Sequence, residues 1–313
     1  TDQPGPQLGE RRVALVLGAQ HPQQVGGEGG PLNIMYRVDG SSDLIEEILP
    51  DWEGYRGSSP VRIGNGAADQ LQLDIYGEAI DSLYFANQRG LEGGHQGWRR
   101  LCDLLNWLSD SWNQPEEGIW ETRGGRQEFT YGRLMSWVAF DRGIRLADLH
   151  GRPAPLERWR TERNAIYDQI MEADWSEARQ AFVQHSKTDV LDSSLLRMTS
   201  VGFISPTDPM WTSTLDAMEG ELVTDSLVYR YDPAASPDGL RGAEGTFSLC
   251  TFSYVDSLAR AGQLEKARNT FEKMLTYANH LGLFSEEIAL TGEQIGNFPQ
   301  AFTHLALIDA AIT

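Results

Sequence analysis

The stretch Gly118-Ile119-Trp120-Glu121-Thr122-Arg123-Gly124 sets an indole ring beside a carboxylic acid in a loop bounded by glycines. A second acidic loop, Gly282-Leu283-Phe284-Ser285-Glu286-Glu287, lies near the C-terminus. Two separated carboxyl groups, each among aromatic rings, are what acid/base cleavage of a sugar acetal requires. One gives a proton to the departing oxygen, and the other takes a proton from the attacking water. Glu121 is the candidate acid, with Trp120 shielding it and Arg123 and Gly124 fixing its loop. Glu286 is the candidate base, and Glu287 next to it competes for that role. In the inverting form of this chemistry the two carboxyl groups sit about 6.5–9.5 Å apart.

Each motif has a plainer reading. A Trp-Glu pair is also a surface acid beside a core ring, and an acidic loop also caps a helix or solvates a surface. Spacing cannot decide between the readings, because only a fold can bring residues so far apart in sequence together. The remaining chemistry-bearing residues make no competing site. The six histidines form no HExxH or paired metal spacing, so no metal is expected. There is no Gly-x-Ser-x-Gly elbow. The glycines after residue 18 make neither a GxGxxG nor a phosphate-binding loop. Cys102 and Cys250 are too few and too far apart for a disulfide framework and read as reduced, buried thiols. His304, in Phe302-Thr303-His304, reads as a hydrogen-bonded structural residue.

The elements that must position these residues are mostly helical. Apolar positions recur at helical spacing over 69–86, 98–112, 131–146, 156–173, 175–182, 209–218, 246–261, 264–281 and 299–311. Ala261-Gly262-Gln263 reads as the turn of a helix pair. Few runs alternate with period two, so no large sheet is expected. Loops rich in Gly, Pro, Ser and Asp cover 51–65, 113–129, 186–192, 232–245 and 284–298, and both acidic motifs fall in such loops. Residues 1–31 differ from the rest: a short apolar run, Arg12 to Gly18, precedes a flexible linker, Gly26 to Pro31.

With 313 residues the chain is long enough for one large domain or two ordinary ones. Its 45 acidic and 26 basic side chains give a net charge of −19. That argues against nucleic acid and anionic membranes, whose binding depends on clustered Lys and Arg. No apolar run approaches the roughly 18–20 residues needed to span a bilayer. The first residues lack the basic and apolar regions of a secretory signal, so a cytoplasmic location is expected.

Several uncommon strings, taken in order, resemble the glucoamylase-like inverting glycosidases of glycoside hydrolase family 15 in their bacterial and archaeal form. They are Asn33 to Gly40, Gly57 to Asn65, Asp69 to Glu78, Gly118 to Glu121, Trp137 to Arg142, Gly242 to Phe247 and Gly292 to His304. The resemblance covers roughly 32–312. It implies an all-α fold, an (α/α)6 toroid of paired helices incomplete at its N-terminal side. It also implies a division into an atypical segment and linker, 1–31, and a helical barrel catalytic region, 32–313.

By the same resemblance Glu121 matches the general acid, Glu286 the general base, Trp120 the aromatic beside the acid and Arg230 a substrate-binding arginine. Arg62 lies where the family has sugar-contacting loop residues. The activity implied is inverting exo-hydrolysis of an α-glucoside or oligosaccharide with release of glucose, without metal or organic cofactor. A trehalase of the same family is the alternative. The chain departs from the family pattern at its start, where the β-sandwich domain and a Trp-Leu-Arg-Asp segment have no counterpart. That departure adds two further readings: an inactive remnant acting as a helical module, and a barrel completed by a homo-oligomer or a partner chain.

Overall fold

The computed structural model describes residues 31–91, 93–232, 234–235 and 245–313. The apolar run at 12–18, most of the linker and the first part of the 242–247 string lie outside these residues. The described residues fall into two compact units. One holds the residues up to Trp52 together with Pro60–Met171, and the other holds Glu53–Ser59 and Glu172–Thr313.

The first unit is built on α1 (Asp74–Asn87), α2 (His95–Ser109), α3 (Thr130–His150) and most of α4 (Leu156–Ala173). Helix α3 is apolar on every side at its centre, and Leu134, Met135, Val138, Ala139 and Phe140 are wholly buried. A helix apolar all round belongs in a core, and α1 packs along it. It ends where Gly151 takes the left-handed conformation of a C-cap. Helix α2 is amphipathic, burying Leu101, Leu105 and Leu108. Each such side chain contributes up to about 1.5–3 kcal/mol. A two-stranded ribbon, β1 (Glu47–Ile48) with β2 (Arg62–Ile63), pairs Glu47 with Ile63.

The second unit carries α5 (Arg197–Ser200), α6 (Pro209–Leu222), α7 (Ser248–Arg260), α8 (Leu264–Leu275) and α9 (Ala301–Ile312). Helix α6 starts cleanly because Asp208 accepts a hydrogen bond from the Met210 amide (2.9 Å) and Pro209 opens the first turn. Helices α8 and α9 both pack on α7. The turn expected at Ala261-Gly262-Gln263 joins α7 to α8, with Gly262 at φ +81°.

One expected helix is absent. Residues 175–182 form a hairpin, β3 (Trp175–Ser176) with β4 (Ala181–Phe182). The aromatic ends that suggested a helical stripe face each other across the strands, Trp175 edge-on to Phe182 at 5.2 Å. Gln180 turns the chain at φ +51°, and the Phe182 amide donates to Thr214 Oγ1 on α6 (3.0 Å). A second hairpin joins β5 (Val223–Thr224) to β6 (Leu227–Val228). The largest sheet among the described residues has three strands, β7 (Thr246–Phe247), β8 (Glu287–Ile288) and β9 (Gln294–Ile295). Helix 246–261 therefore begins two residues late, its first two residues being β7. Cys250 is buried as expected and Cys102 only half so; both are free thiols.

Candidate functional site

Glu121, Trp120 and Arg62 belong to the first unit, and Glu286 and Arg230 to the second. The loop of the candidate acid, Glu121, is closed by a backbone exchange in which Glu116 and Gln127 each donate to the other's carbonyl (2.9 and 2.8 Å). It is tied to the residues before α1 through Glu117. The Glu117 amide donates to the Leu71 carbonyl (3.0 Å), and its carboxylate accepts from the Leu71 amide (2.8 Å) and Arg126 Nε (2.9 Å). Inside the loop, Thr122 Oγ1 donates to the Glu117 carbonyl (2.8 Å) and Gln70 Nε2 donates to the Thr122 carbonyl (3.1 Å).

At the head of this loop Glu121 sits at φ +53°, a left-handed backbone that a non-glycine residue adopts only when its surroundings enforce it. Its side chain is half-buried, and the preceding Trp120 is buried. Asn65 Nδ2 donates to Glu121 Oε2 at 3.2 Å. The orientation of that amide is fixed from its other end, because Asn65 Oδ1 accepts from the Ala67 amide (2.8 Å). Arg62, in β2, reaches the same neighbourhood through Glu46. That carboxylate pairs with Arg62 (3.4 Å) and Arg123 (3.8 Å) and accepts from the Gly66 amide (3.1 Å). The two arginines are about half exposed, so these ion pairs orient more than they stabilise.

The loop of the candidate base, Glu286, is organised by the three-stranded sheet. Glu286 immediately precedes β8 and is in register with it: its amide donates to the Asn297 carbonyl (2.9 Å) and its carbonyl accepts from the Ser248 amide (2.9 Å). Successive side chains on a strand leave opposite faces, so Glu286 and Glu287 part company. Glu286 Oε2 accepts from both the backbone amide (3.1 Å) and the side-chain amide (3.0 Å) of Asn297. Gly296 makes the approach possible. It lies at φ +75°, and a Cβ there would stand 2.9 Å from Glu286 Oε2.

Glu287 Oε2 instead accepts from the Gly245 amide (2.8 Å). Burial pushes the Glu287 carboxyl above the usual carboxylate range, with the Glu286 charge adding to the rise; the Gly245 hydrogen bond and Arg230 oppose it. The Arg230 side chain is buried, its guanidinium 4.5 Å from the Phe247 ring and 5.2 Å from the Tyr231 ring. Its carbonyl anchors Ser193 by accepting from that residue's amide (2.8 Å) and Oγ (2.9 Å).

Phe284 is buried, and its amide donates to His304 Nε2 (3.3 Å) while His304 Nδ1 meets the Gln300 carbonyl (2.6 Å). Both ring nitrogens are thus engaged by backbone, the structural role the sequence suggested for this histidine. Among the described residues no group of three or more His, Cys, Asp or Glu side chains is arranged to hold a metal ion. No helix of the described residues is long and apolar enough to cross a membrane.

Sequence reasoning gave no role to Asn65, Asn297 or Glu46. Asn65 and Asn297 do lie inside the strings that carried the family resemblance, each beside a glycine. A short amide next to a tight turn is the signal that could have marked them.

The profile of glycosyl hydrolases family 15 matches residues 24–312. The chain is 41% identical over 301 residues to a trehalase of Mycolicibacterium smegmatis, covering 96% of this chain and 44% of that protein. It is 38% identical over 282 residues to a trehalase of Thermoplasma volcanium, covering 90% of this chain and 45% of that protein. The chain therefore spans less than half the length of these curated relatives. Among solved structures it matches a glycosidase in complex with glucose at a TM-score of 0.70 and 18% identity, covering 97% of this chain and 78% of that one. It also matches a bacterial glucoamylase complexed with acarbose at a TM-score of 0.63 and 15% identity, covering 78% and 41%. The likeness in structure is one of fold, the (α/α)6 helical barrel class of glucoamylase. On the profile match and the identity to the two trehalases, this chain belongs to glycosyl hydrolases family 15.

Proposed function

We propose that the chain carries the proton donor and the water-activating base of a trehalase, Glu121 as the acid and Glu286 as the base. Support for trehalose over the α-glucans and isomaltose-type sugars that the family also cleaves comes from the curated relatives. Those from Mycolicibacterium smegmatis and Thermoplasma volcanium bear the name trehalase at close to 40% identity over nine-tenths of this chain or more. In this reading Glu121 gives its proton to the oxygen joining the two glucose units as the C1–O bond breaks. Glu286 takes a proton from a water whose oxygen bonds to C1. The Asn65 amide orients the acid and the two Asn297 amides orient the base. Arg230, Arg62 and Trp120 contact the sugar. The part of the helical barrel catalytic region that this chain carries is taken as 32–313.

The test is glucose release by the full chain from trehalose, maltose and isomaltose side by side, with anomers followed by NMR. Trehalose joins two α-glucosyl units, so inversion at one centre gives equal α- and β-glucose at early times. Two α-glucose products, or a preference for maltose or isomaltose, would overturn the reading. Glu121→Gln removes hydrolysis while the thermal transition is kept. A chain that folds but releases no glucose from any of the three sugars would instead be a non-catalytic module. Light scattering on the same sample tells whether activity belongs to one chain or to an assembly.

A further inference from the structure

Two carboxyl groups lie buried at the root of the loop that carries Glu121, with no cation against them among the described residues. Glu116 is 1% exposed and Asp74, in the first turn of α1, is 6% exposed. Glu116 Oε2 accepts from the amide of Leu73, the residue before Asp74, at 2.9 Å. The other oxygen of each acid, Glu116 Oε1 and Asp74 Oδ1, is buried and meets no hydrogen-bond donor among the described residues. The room for Glu116 Oε1 is cut into α3 at Gly132, where a Cβ would stand 2.1 Å from that oxygen. Burial disfavours an ionised carboxylate with an unpaired oxygen, and two side by side are disfavoured further by their mutual repulsion.

We propose that Asp74 and Glu116 share one proton, held between the two oxygens that lack donors, and that this shared proton fastens the loop bearing Glu121 to the start of α1. Glu116 is a positioning residue: its backbone closes the loop against Gln127 and its side chain pins the loop to α1. The connection to catalysis rests on the role proposed for Glu121; the shared proton itself does not.

The electrostatics agree with the geometry. Burial, then the charge of Glu78, pushes the Asp74 carboxyl up to about 7. Burial, then the charge of Asp74, holds Glu116 well above the carboxylate range, with Glu117 adding to the rise and the backbone amides of Leu73 and Gly118 opposing it. The groups facing the pair are accounted for element by element. From α1 comes Glu78, which accepts from Tyr131 Oη of α3 (2.7 Å). From the loop comes Glu117, paired with Arg126. On α3, next to Gly132, Arg133 pairs with Glu128 at 3.2 Å. A carboxyl whose folded pKa is raised above its unfolded value contributes stability that is whole below about pH 4 and is lost as the pH rises through the folded value. The strap therefore loosens on the alkaline side.

The test is thermal unfolding of the full chain from pH 5 to pH 8, for the wild type, Glu116→Gln and Asp74→Asn. An amide supplies permanently the N–H donor that the proton supplies only while bound. The melting temperature of either amide variant should gain on that of the wild type by roughly 2 °C or more between pH 5 and pH 8. Amide exchange over 117–122 should lose its rise with pH in excess of the intrinsic rate. Should Glu116→Gln not fold, Asp74→Asn carries the same expectation. Parallel melting curves for wild type and variant across this range would overturn the shared proton. If the stability effect appears and trehalose hydrolysis shows no matching extension of its alkaline limb, the strap stands and the role given to Glu121 falls.

Discussion

Asn297 holds Glu286 by two donors at once, its backbone amide at 3.1 Å and its side-chain amide at 3.0 Å, both on Oε2. One carboxylate oxygen is thereby fixed, which sets the direction of the other. Asn297→Ala keeps the backbone donor and removes the second. A hydrogen bond to a charged group is worth about 1.5–3 kcal/mol, so kcat on trehalose should fall roughly 10- to 100-fold with a smaller change in KM. Equal kcat for variant and wild type would show that the side-chain amide does not orient the proposed base.

Gly296 tests the same contact from behind. Alanine there carries a methyl 2.9 Å from Glu286 Oε2 on a backbone at φ +75°. The left-handed conformation alone costs about 1–2 kcal/mol for a residue with a Cβ. Gly296→Ala should lower the melting temperature by several degrees and depress kcat at least as much as Asn297→Ala. A variant as stable and as active as wild type would contradict the packing described.

How much of this was legible beforehand differs by element. Helix α2 announced itself, because Leu101, Leu105 and Leu108 are spaced at one helical turn and all buried. The hairpin at 175–182 did not, because over eight residues a pair of facing aromatics at either end satisfies helix and strand patterns alike. Glu121 and Glu286 could be nominated from their strings, since an aromatic close to an acid is a local feature. Asn65 could not, because its donor reaches Glu121, 56 positions further along the chain, only after the intervening segment has been folded back. Asp74 and Glu116 were invisible for a further reason: burial is what makes them unusual, and the sequence prints a buried carboxyl the same way as a solvated one.

Arg230 lies against two rings, 4.5 Å from Phe247 and 5.2 Å from Tyr231. A planar guanidinium suits such faces and presents a fork of donors, which an ammonium does not. Arg230→Lys should raise KM for trehalose about 10-fold and leave the acid and alkaline limbs of kcat in place. A KM within twofold of wild type would remove Arg230 from the sugar-binding set.

Glu287 provides a pH signature separate from the pair at the acid loop. Its carboxyl is held up by burial and by the charge of Glu286. The stability it contributes is present below the unfolded value near pH 4 and declines as the pH rises through the folded value. Glu287→Gln should therefore narrow the stability difference between acidic and neutral pH. It keeps the acceptor oxygen for the Gly245 amide, so the strand should remain paired. Unfolding followed by urea at pH 4.5 and pH 7 measures the difference. A pH dependence equal to that of wild type would place the proton elsewhere.

Gly132 and Glu116 form the last and most direct test of how the acid loop is seated. In the interior of a helix, glycine to alanine is ordinarily stabilising by about 1 kcal/mol. Here the added methyl would stand 2.1 Å from Glu116 Oε1, so Gly132→Ala should destabilise instead. Glu116→Ala alone should also destabilise, since the Leu73 amide loses its acceptor. Combined, the methyl at 132 enters space the carboxyl has left, and the double variant should be more stable than the sum of the two single losses by at least about 1 kcal/mol. Strictly additive losses would mean that Glu116 does not point at α3, and the strap proposed between Asp74 and the acid loop would lose its footing.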